Sequence, residues 1–303
     1  MYLKDFKQHI INSPKADVHS HLHLAGSQKR FKRRFPNAHL KFPESYDGLT
    51  GMIHFIYNHL NTVMLTDQDL VNFMEIAIES AIDDNVILLE ASVDLGLANF
   101  FGQSIEKIIE VVKTLQEKYK SKIDFKPDLG INKDLNLEKV YSDGIKCLES
   151  GSFYGIDLYG QEINKDLSPF VKLYDIARDL NIKTKVHIGE FSDHESIDKT
   201  IKLLHPQEIQ HGIRAVDSTK TMDLIRKEDI RLNICPTSNI LLGAVGSLEY
   251  HPLRQLFDNG INLTINTDDL ILFNASISEE FIKLFELNLF SLEELEVIRT
   301  NAF

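Results

Sequence analysis

The chain has 303 residues, enough for two average domains or one large barrel. Its 33 Lys and Arg against 45 Asp and Glu give a formal charge of −12, which argues against holding nucleic acid or an anionic membrane through bulk charge. Two cysteines exclude a disulfide framework, the N-terminus is too polar and broken for a secretory signal, and no apolar run approaches the roughly 20 residues of a membrane span. The expectation is a soluble cytoplasmic protein of ordinary globular composition.

In chain order, strand-like runs fall at 15–21, 86–94, 123–131, 152–160, 183–190, 207–212, 231–238 and 261–269. Helix-like stretches with apolar positions every three or four residues separate most of them, as at 69–84 and 104–120. The stretch 168–180 has Ser168 as a plausible cap and Pro169 at the first helical position. Strands alternating with helices predict parallel pairing through helical crossovers, and eight such units predict a closed (β/α)8 barrel forming one domain over 1–303. Residues 28–68 exceed what a strand-to-helix loop needs. They read as a helical insertion after the first strand, either a lid over the barrel mouth or an outer decoration. The rival doubly wound sheet lacks its usual GxGxxG, and no P-loop is evident.

The polar residues at strand ends carry the chemistry. His19 and His21 sit at i and i+2 on the first strand, so both imidazoles can face the axis. His187 falls late in the fifth strand, His211 ends the sixth, and Asp268 and Asp269 end the eighth. In a barrel these ends converge on the C-terminal face, where catalytic residues of this fold lie. Imidazoles plus a carboxylate suit Zn²⁺ or a similar divalent ion. Each piece alone is weak, and the joint placement is what points to a metal site. Glu190, three residues after His187, is placed to move a proton beside such a centre; its bland alternative is a cap or an ion-pair residue.

The segments PKADVHSHL, GIDLYGQE, HIGE, IQHGIRAV, CPTSN, HPLRQLFDNG and NTDD occur in an order that resembles the adenosine deaminase family of metal-dependent barrel hydrolases. That resemblance implies one zinc ion held by His19, His21, His187 and Asp268. It also implies that Glu190 protonates purine N1 while hydroxide adds at C6, and that His211 orients the water. Asp269 would bond N7, and the Gly160 N–H would bond N3. The expected reaction is hydrolytic deamination of a 6-aminopurine nucleoside, adenosine or deoxyadenosine, with ammonia released. A raised Glu190 pKa in a desolvated site and a protonated Asp269 beside ionised Asp268 would fit these roles.

The zinc deaminases acting on DNA or RNA carry HxE with PCxxC, which this chain lacks. Barrels with two metals bridged by a modified lysine on strand four are disfavoured, because SFYGIDLYG has no lysine. A non-catalytic relic would have lost Glu190, His211 or a ligand, and none is lost.

Two features bear on the substrate. The family usually carries an acid after HxHL that contacts the sugar hydroxyl. Read without a gap, His23 takes that position; with two extra residues, Ala25 does. Either way the carboxylate is absent, which opens the substrate to AMP, an N6-modified AMP or adenine. His23 also shares a strand face with His19 and His21, but the PKADVH register favours the latter two as ligands. The second feature is the basic cluster Lys29, Arg30, Lys32, Arg33 and Arg34, which reads either as a solvated loop or as a contact for a phosphate at the mouth.

Overall fold

The computed structural model describes residues 3–303. Its eight strands are β1 (Lys15–Asp17), β2 (Val86–Asp94), β3 (Asp124–Asn132), β4 (Gly155–Tyr159), β5 (Lys183–Ile188), β6 (Glu208–His211), β7 (Arg231–Ile234) and β8 (Leu263–Ile265). They pair in sequence order, every ladder parallel. A short seam closes the barrel between β8 and β1. It consists of the bridge Ser20–Asp268, the Asp268 N–H donating to His19 O at 3.0 Å, and the Val18 N–H donating to Asn266 Oδ1 at 2.9 Å. The result is a TIM-type (β/α)8 barrel with a helical insertion after β1. Among the described residues, no helix is long and apolar enough to cross a membrane.

The helical crossovers bury one apolar stripe each. Ile105–Tyr119 starts at Ser104, whose side chain accepts the Lys107 N–H, and buries Ile105, Ile108, Val112, Leu115 and Tyr119. The helix predicted over 168–180 begins differently from expectation. Ser168–Phe170 forms a 3-10 turn before the helix Val171–Asp179, and the Ser168 hydroxyl donates to Asp166 Oδ2 at 2.8 Å instead of capping.

The barrel interior is charged at its lower end. The fully buried Lys185 donates to Glu90 Oε2 at 2.6 Å, Asp128 Oδ2 at 2.7 Å and Val18 O at 3.2 Å. Burial opposes its charge, but Asp128, Glu90 and Glu208 outweigh that and hold its pKa above the ordinary lysine range. Gly155 makes room for this network, since a Cβ there would lie 1.9 Å from Asp128 Oδ1. Lys185 and His187 share a face of β5, so the network props the strand two residues below the site.

Residues 28–68 fold into the helices Gln28–Arg34 and Gly48–Asn58 with connecting loops. They bury Phe31, Tyr46, Met52 and Phe55. The Tyr46 N–H donates to Leu241 O at 2.8 Å and Gln28 Nε2 to Ile271 O at 3.0 Å, so the insertion lies on the loops after β7 and β8. The basic cluster divides. Arg30 donates to both carboxylate oxygens of Asp83, at 2.6 and 2.7 Å, and to Glu79 at 2.5 Å; Arg34 pairs with Glu75 at 3.3 Å. These two arginines are engaged by the helix Asp67–Asp83, which removes them as phosphate contacts. Lys32 instead lines a cavity of about 450 Å³ together with Lys41, Glu44, Leu241 and Phe273.

Candidate active site

Several predicted strands end earlier than their sequence suggests, and the site lies where they end. The β1 ladder stops at Asp17, leaving His19 and His21 beyond it, tied by the single bridges Ser20–Asp268 and His21–Ser92. His211 (φ 66°) and Asp268 (φ 56°) adopt left-handed backbone that swings them off the strand line. Strained positions of this kind, held by their surroundings, are a feature of functional sites.

His19 and His187 point their Nε2 atoms at each other, 3.1 Å apart. Two imidazole nitrogens on one tetrahedral zinc-like ion sit roughly 3.3 Å apart, so the pair fits a shared cation. The outer nitrogens are occupied. His19 Nδ1 lies 2.8 Å from Asn233 O, His21 Nδ1 3.4 Å from Asp94 Oδ1, and His187 Nδ1 3.1 Å from Asp157 Oδ1. Partners on the outer nitrogen orient an imidazole and make its inner nitrogen a better ligand. Asp268 Oδ1 stands 4.0 Å from His19 Nε2, while its Oδ2 accepts from Ser238 Oγ at 2.6 Å.

The electrostatics agree with a cation. Burial opposes a charge on His21, but the hydrogen bond to Asp94 and the nearby Asp269 and Asp268 outweigh it and push its pKa up to about 10. These carboxylates call for positive charge at this spot, which a bound cation supplies as well as a proton does. Cys235 also lies within reach of the cluster, its Sγ 3.3 Å from His19 Nδ1. It lies beside the outer nitrogen of that ring, and burial pushes its thiol pKa far up.

Glu190 and His211 form the second half of the site. Glu190 Oε2 is 3.5 Å from His211 Nε2, and Asn239 Nδ2 donates to Glu190 Oε1 at 2.6 Å. Burial, then Asp268 and Glu162, raise the Glu190 pKa well above the usual carboxylate range. Burial and His187 lower that of His211. Asp269 is raised in the same way by burial and by Asp268, and its Oδ1 has no hydrogen-bond partner among the described residues. Gly160 follows β4 at φ 102°, with the Asn132 side chain 3.2 Å from where a Cβ would lie. His23 is buried, and its Nδ1 also has no partner among the described residues.

Sequence reading missed the residues that hold these groups. Asp94 and Asp157 stand in apolar strands, and a lone carboxylate there must be paired to be tolerated, which was the available signal. Glu162 was invisible as a functional residue. Its Oε2 accepts from the N–H of Gly189 (2.9 Å), Phe191 (3.2 Å) and Ser192 (2.9 Å) and from the Ser192 hydroxyl (2.7 Å). The Glu190 N–H is shared between both its oxygens. The turn carrying Glu190 is thus wrapped around one buried carboxylate. Lys133 Nζ donates to His187 O at 2.7 Å and steadies the strand end from the other side.

A (β/α)8 barrel with these side chains gathered at its C-terminal mouth is the architecture of a hydrolase. A family model described as "Adenosine deaminase" matches residues 14–303, and the chain belongs to that family; it is a deaminase. A putative adenosine/adenine deaminase of Treponema pallidum is 33% identical over 273 residues, which is 90% of this chain and 91% of that protein. Among solved structures, adenine deaminase of Arthrobacter aurescens superposes with a TM-score of 0.81 at 22% identity, covering 95% of this chain and 92% of that one. The N6-mAMP deaminase of Arabidopsis also gives 0.81, at 19% identity over 97% and 93%. An amidohydrolase of Burkholderia ambifaria, solved with bound Zn, gives 0.80 at 19% identity over 98% and 86%.

Proposed function

We propose that the protein hydrolyses the exocyclic amine of a 6-aminopurine nucleoside, giving the 6-oxo compound and ammonia. The observation that carries this is the buried Glu190, its pKa raised by burial, Asp268 and Glu162, set 3.5 Å from His211 and beside the histidine–carboxylate cluster. His19, His21, His187 and Asp268 would hold one divalent cation, zinc by donor type. When bound, it supplies Lewis acidity that lowers the pKa of water toward neutrality.

Addition of a water oxygen at C6 breaks the ring's aromaticity and loads electron density on N1. Glu190 places its proton on N1 and so stabilises that density. His211, neutral because it is buried among other imidazoles, orients the attacking oxygen. The oxygen gives up its two protons in turn: the Glu190 carboxylate passes one to the departing amine and the other restores the Glu190 carboxyl, so that water and amine become carbonyl and ammonia. Protonated Asp269 donates to N7, and the Gly160 N–H donates to N3.

A second reading, deamination of adenine, AMP or an N6-modified AMP, is favoured by the histidine and alanine that stand at positions 23 and 25 where a sugar-binding acid would be. It is supported by the activities named for the Treponema, Arthrobacter and Arabidopsis proteins. His23 Nδ1, buried and without a partner among the described residues, supports a contact there of another kind.

The test is amine release by zinc-loaded protein: ammonia from adenosine, deoxyadenosine, adenine and AMP, and methylamine from N6-methyl-AMP. Glu190→Gln is expected to keep its metal and lose about 10²–10⁴-fold in kcat on the preferred substrate. Wild-type turnover in that variant removes the proton-transfer role.

A further inference from the structure

His251 opens the HPLRQ segment and is buried beneath the site, yet the reaction as described leaves it idle. Its ring makes two hydrogen bonds. Nδ1 accepts the backbone N–H of Leu253 at 3.2 Å, and Nε2 lies 3.1 Å from Asn239 Oδ1. A main-chain N–H can only donate, so Nδ1 must present its lone pair and the ring proton must sit on Nε2. Burial pushes the His251 pKa down to about 3, which keeps the ring singly protonated at neutral pH.

The polarity then passes along the chain. The His251 Nε2–H donates to Asn239 Oδ1, which fixes the orientation of an amide whose ends would otherwise be interchangeable. The Asn239 NH₂ group therefore faces the site, and its two hydrogens meet two acceptors: Glu190 Oε1 at 2.6 Å and His211 Nδ1 at 3.1 Å. His211, accepting at Nδ1, carries its proton on Nε2. Glu190, accepting at Oε1, has only Oε2 free to carry a proton. His211 Nε2 and Glu190 Oε2 are the two atoms that face each other at 3.5 Å.

We infer that His251 and Asn239 are positioning residues, forming a hydrogen-bond relay of fixed direction that sets the tautomer of His211 and selects Oε2 as the oxygen of Glu190 that exchanges protons with substrate. This rests on the roles proposed above for Glu190 and His211. With the relay in place, His211 meets the attacking oxygen as an N–H donor. The reversed amide would set an NH₂ group against the N–H of His251, a buried donor facing a donor.

The experiment uses the zinc-loaded enzyme with ¹⁵N-labelled histidine, the ring signals of His251 and His211 being assigned by their loss in single variants. Both rings are expected as Nε2–H tautomers. His251→Phe keeps the buried bulk and removes both hydrogen bonds. It should lower kcat about 10- to 100-fold, a fraction of a typical acid–base contribution, while KM and metal content stay near wild type. His211 should then show mixed tautomers. His251→Gln, which can present a donor at the Nε2 position, should restore most of kcat.

A wild-type His211 in the Nδ1–H form overturns the inference, as does His251→Phe with wild-type kcat. Should that variant fail to fold, the wild-type spectrum and His251→Gln decide. Full turnover in Glu190→Gln would instead refute the reaction roles while leaving the tautomer result standing.

Discussion

Glu162 offers a quantitative check on how the catalytic turn is held. Replacing it with Leu keeps the volume and removes every acceptor. The N–H groups of Glu190, Phe191 and Ser192 then lose their acceptor in buried or part-buried positions, while that of Gly189 keeps Ser192 Oγ at 3.1 Å. A buried donor without an acceptor costs about 1–3 kcal/mol, so three of them, at the low end of that range and allowing for relaxation, give a loss of about 3–5 kcal/mol. Glu162→Gln is the control. Almost all the bonds converge on one oxygen, Oε2, and a glutamine carbonyl can occupy that place. Only the charge is lost there, and the expected cost is about 1 kcal/mol, the difference between charged and neutral acceptors. Urea unfolding of both variants at saturating zinc reads the two values, and kcat should fall with the first because Glu190 rides on the same turn. Equal unfolding midpoints for the two variants would refute the reasoning, since the charge and not the oxygen would then be what matters.

Three further outcomes follow from the geometry. Asp157→Asn leaves His187 without a charged partner on Nδ1 and should weaken metal binding about 10- to 100-fold in a chelator competition. Gly155→Ala drives a Cβ into Asp128, which Lys185 pins in place, and should cost about 3 kcal/mol or more by thermal unfolding. His251 titrates near 6.5 in an unfolded chain and at about 3 in the fold. Between those values the unfolded chain binds the extra proton, so stability falls as pH drops below about 6.5, by up to ~1.4 kcal/mol per pH unit. His251→Phe should remove that contribution, seen as a shallower loss of stability in urea between about pH 6 and pH 4.

The alternation of strand-like and helix-like runs was enough to identify the barrel, because each parallel strand must be followed by a crossover. β2 was legible to the residue, since nothing interrupts its ladder from Val86 to Asp94. The first, seventh and eighth strands read as too long. Periodicity records which residues are apolar, whereas the ladder stops where the backbone turns, and at Asp268 or His211 that turn is a left-handed φ on a residue no pattern marks. The groups in contact at the mouth could be read from HxH, HIGE and NTDD because they are chemically unusual at strand ends. Their supports could not. Asp94 lies 73 residues from His21 and Asn239 lies 49 from Glu190, and no local spacing encodes such pairings. Arg30 and Arg34 of the 29–34 cluster show the converse. Their charge was visible, but the Asp83 and Glu79 that absorb it lie on another helix.

The seam between β8 and β1 has a consequence for how the molecule would come apart. Every other pair of neighbouring strands is zipped by a ladder, while this one relies on a few bonds around Asn266, Thr267 and Asp268. His19 and Asp268, two members of the proposed ligand set, stand on opposite lips of that seam. An ion shared between them would work as a clasp on a sleeve, fastening the edge that backbone pairing leaves lightly closed. Withdrawing it would loosen the barrel at a defined line, exposing the amides of residues 17–21 and 265–269 to exchange while β2 to β6 stay protected.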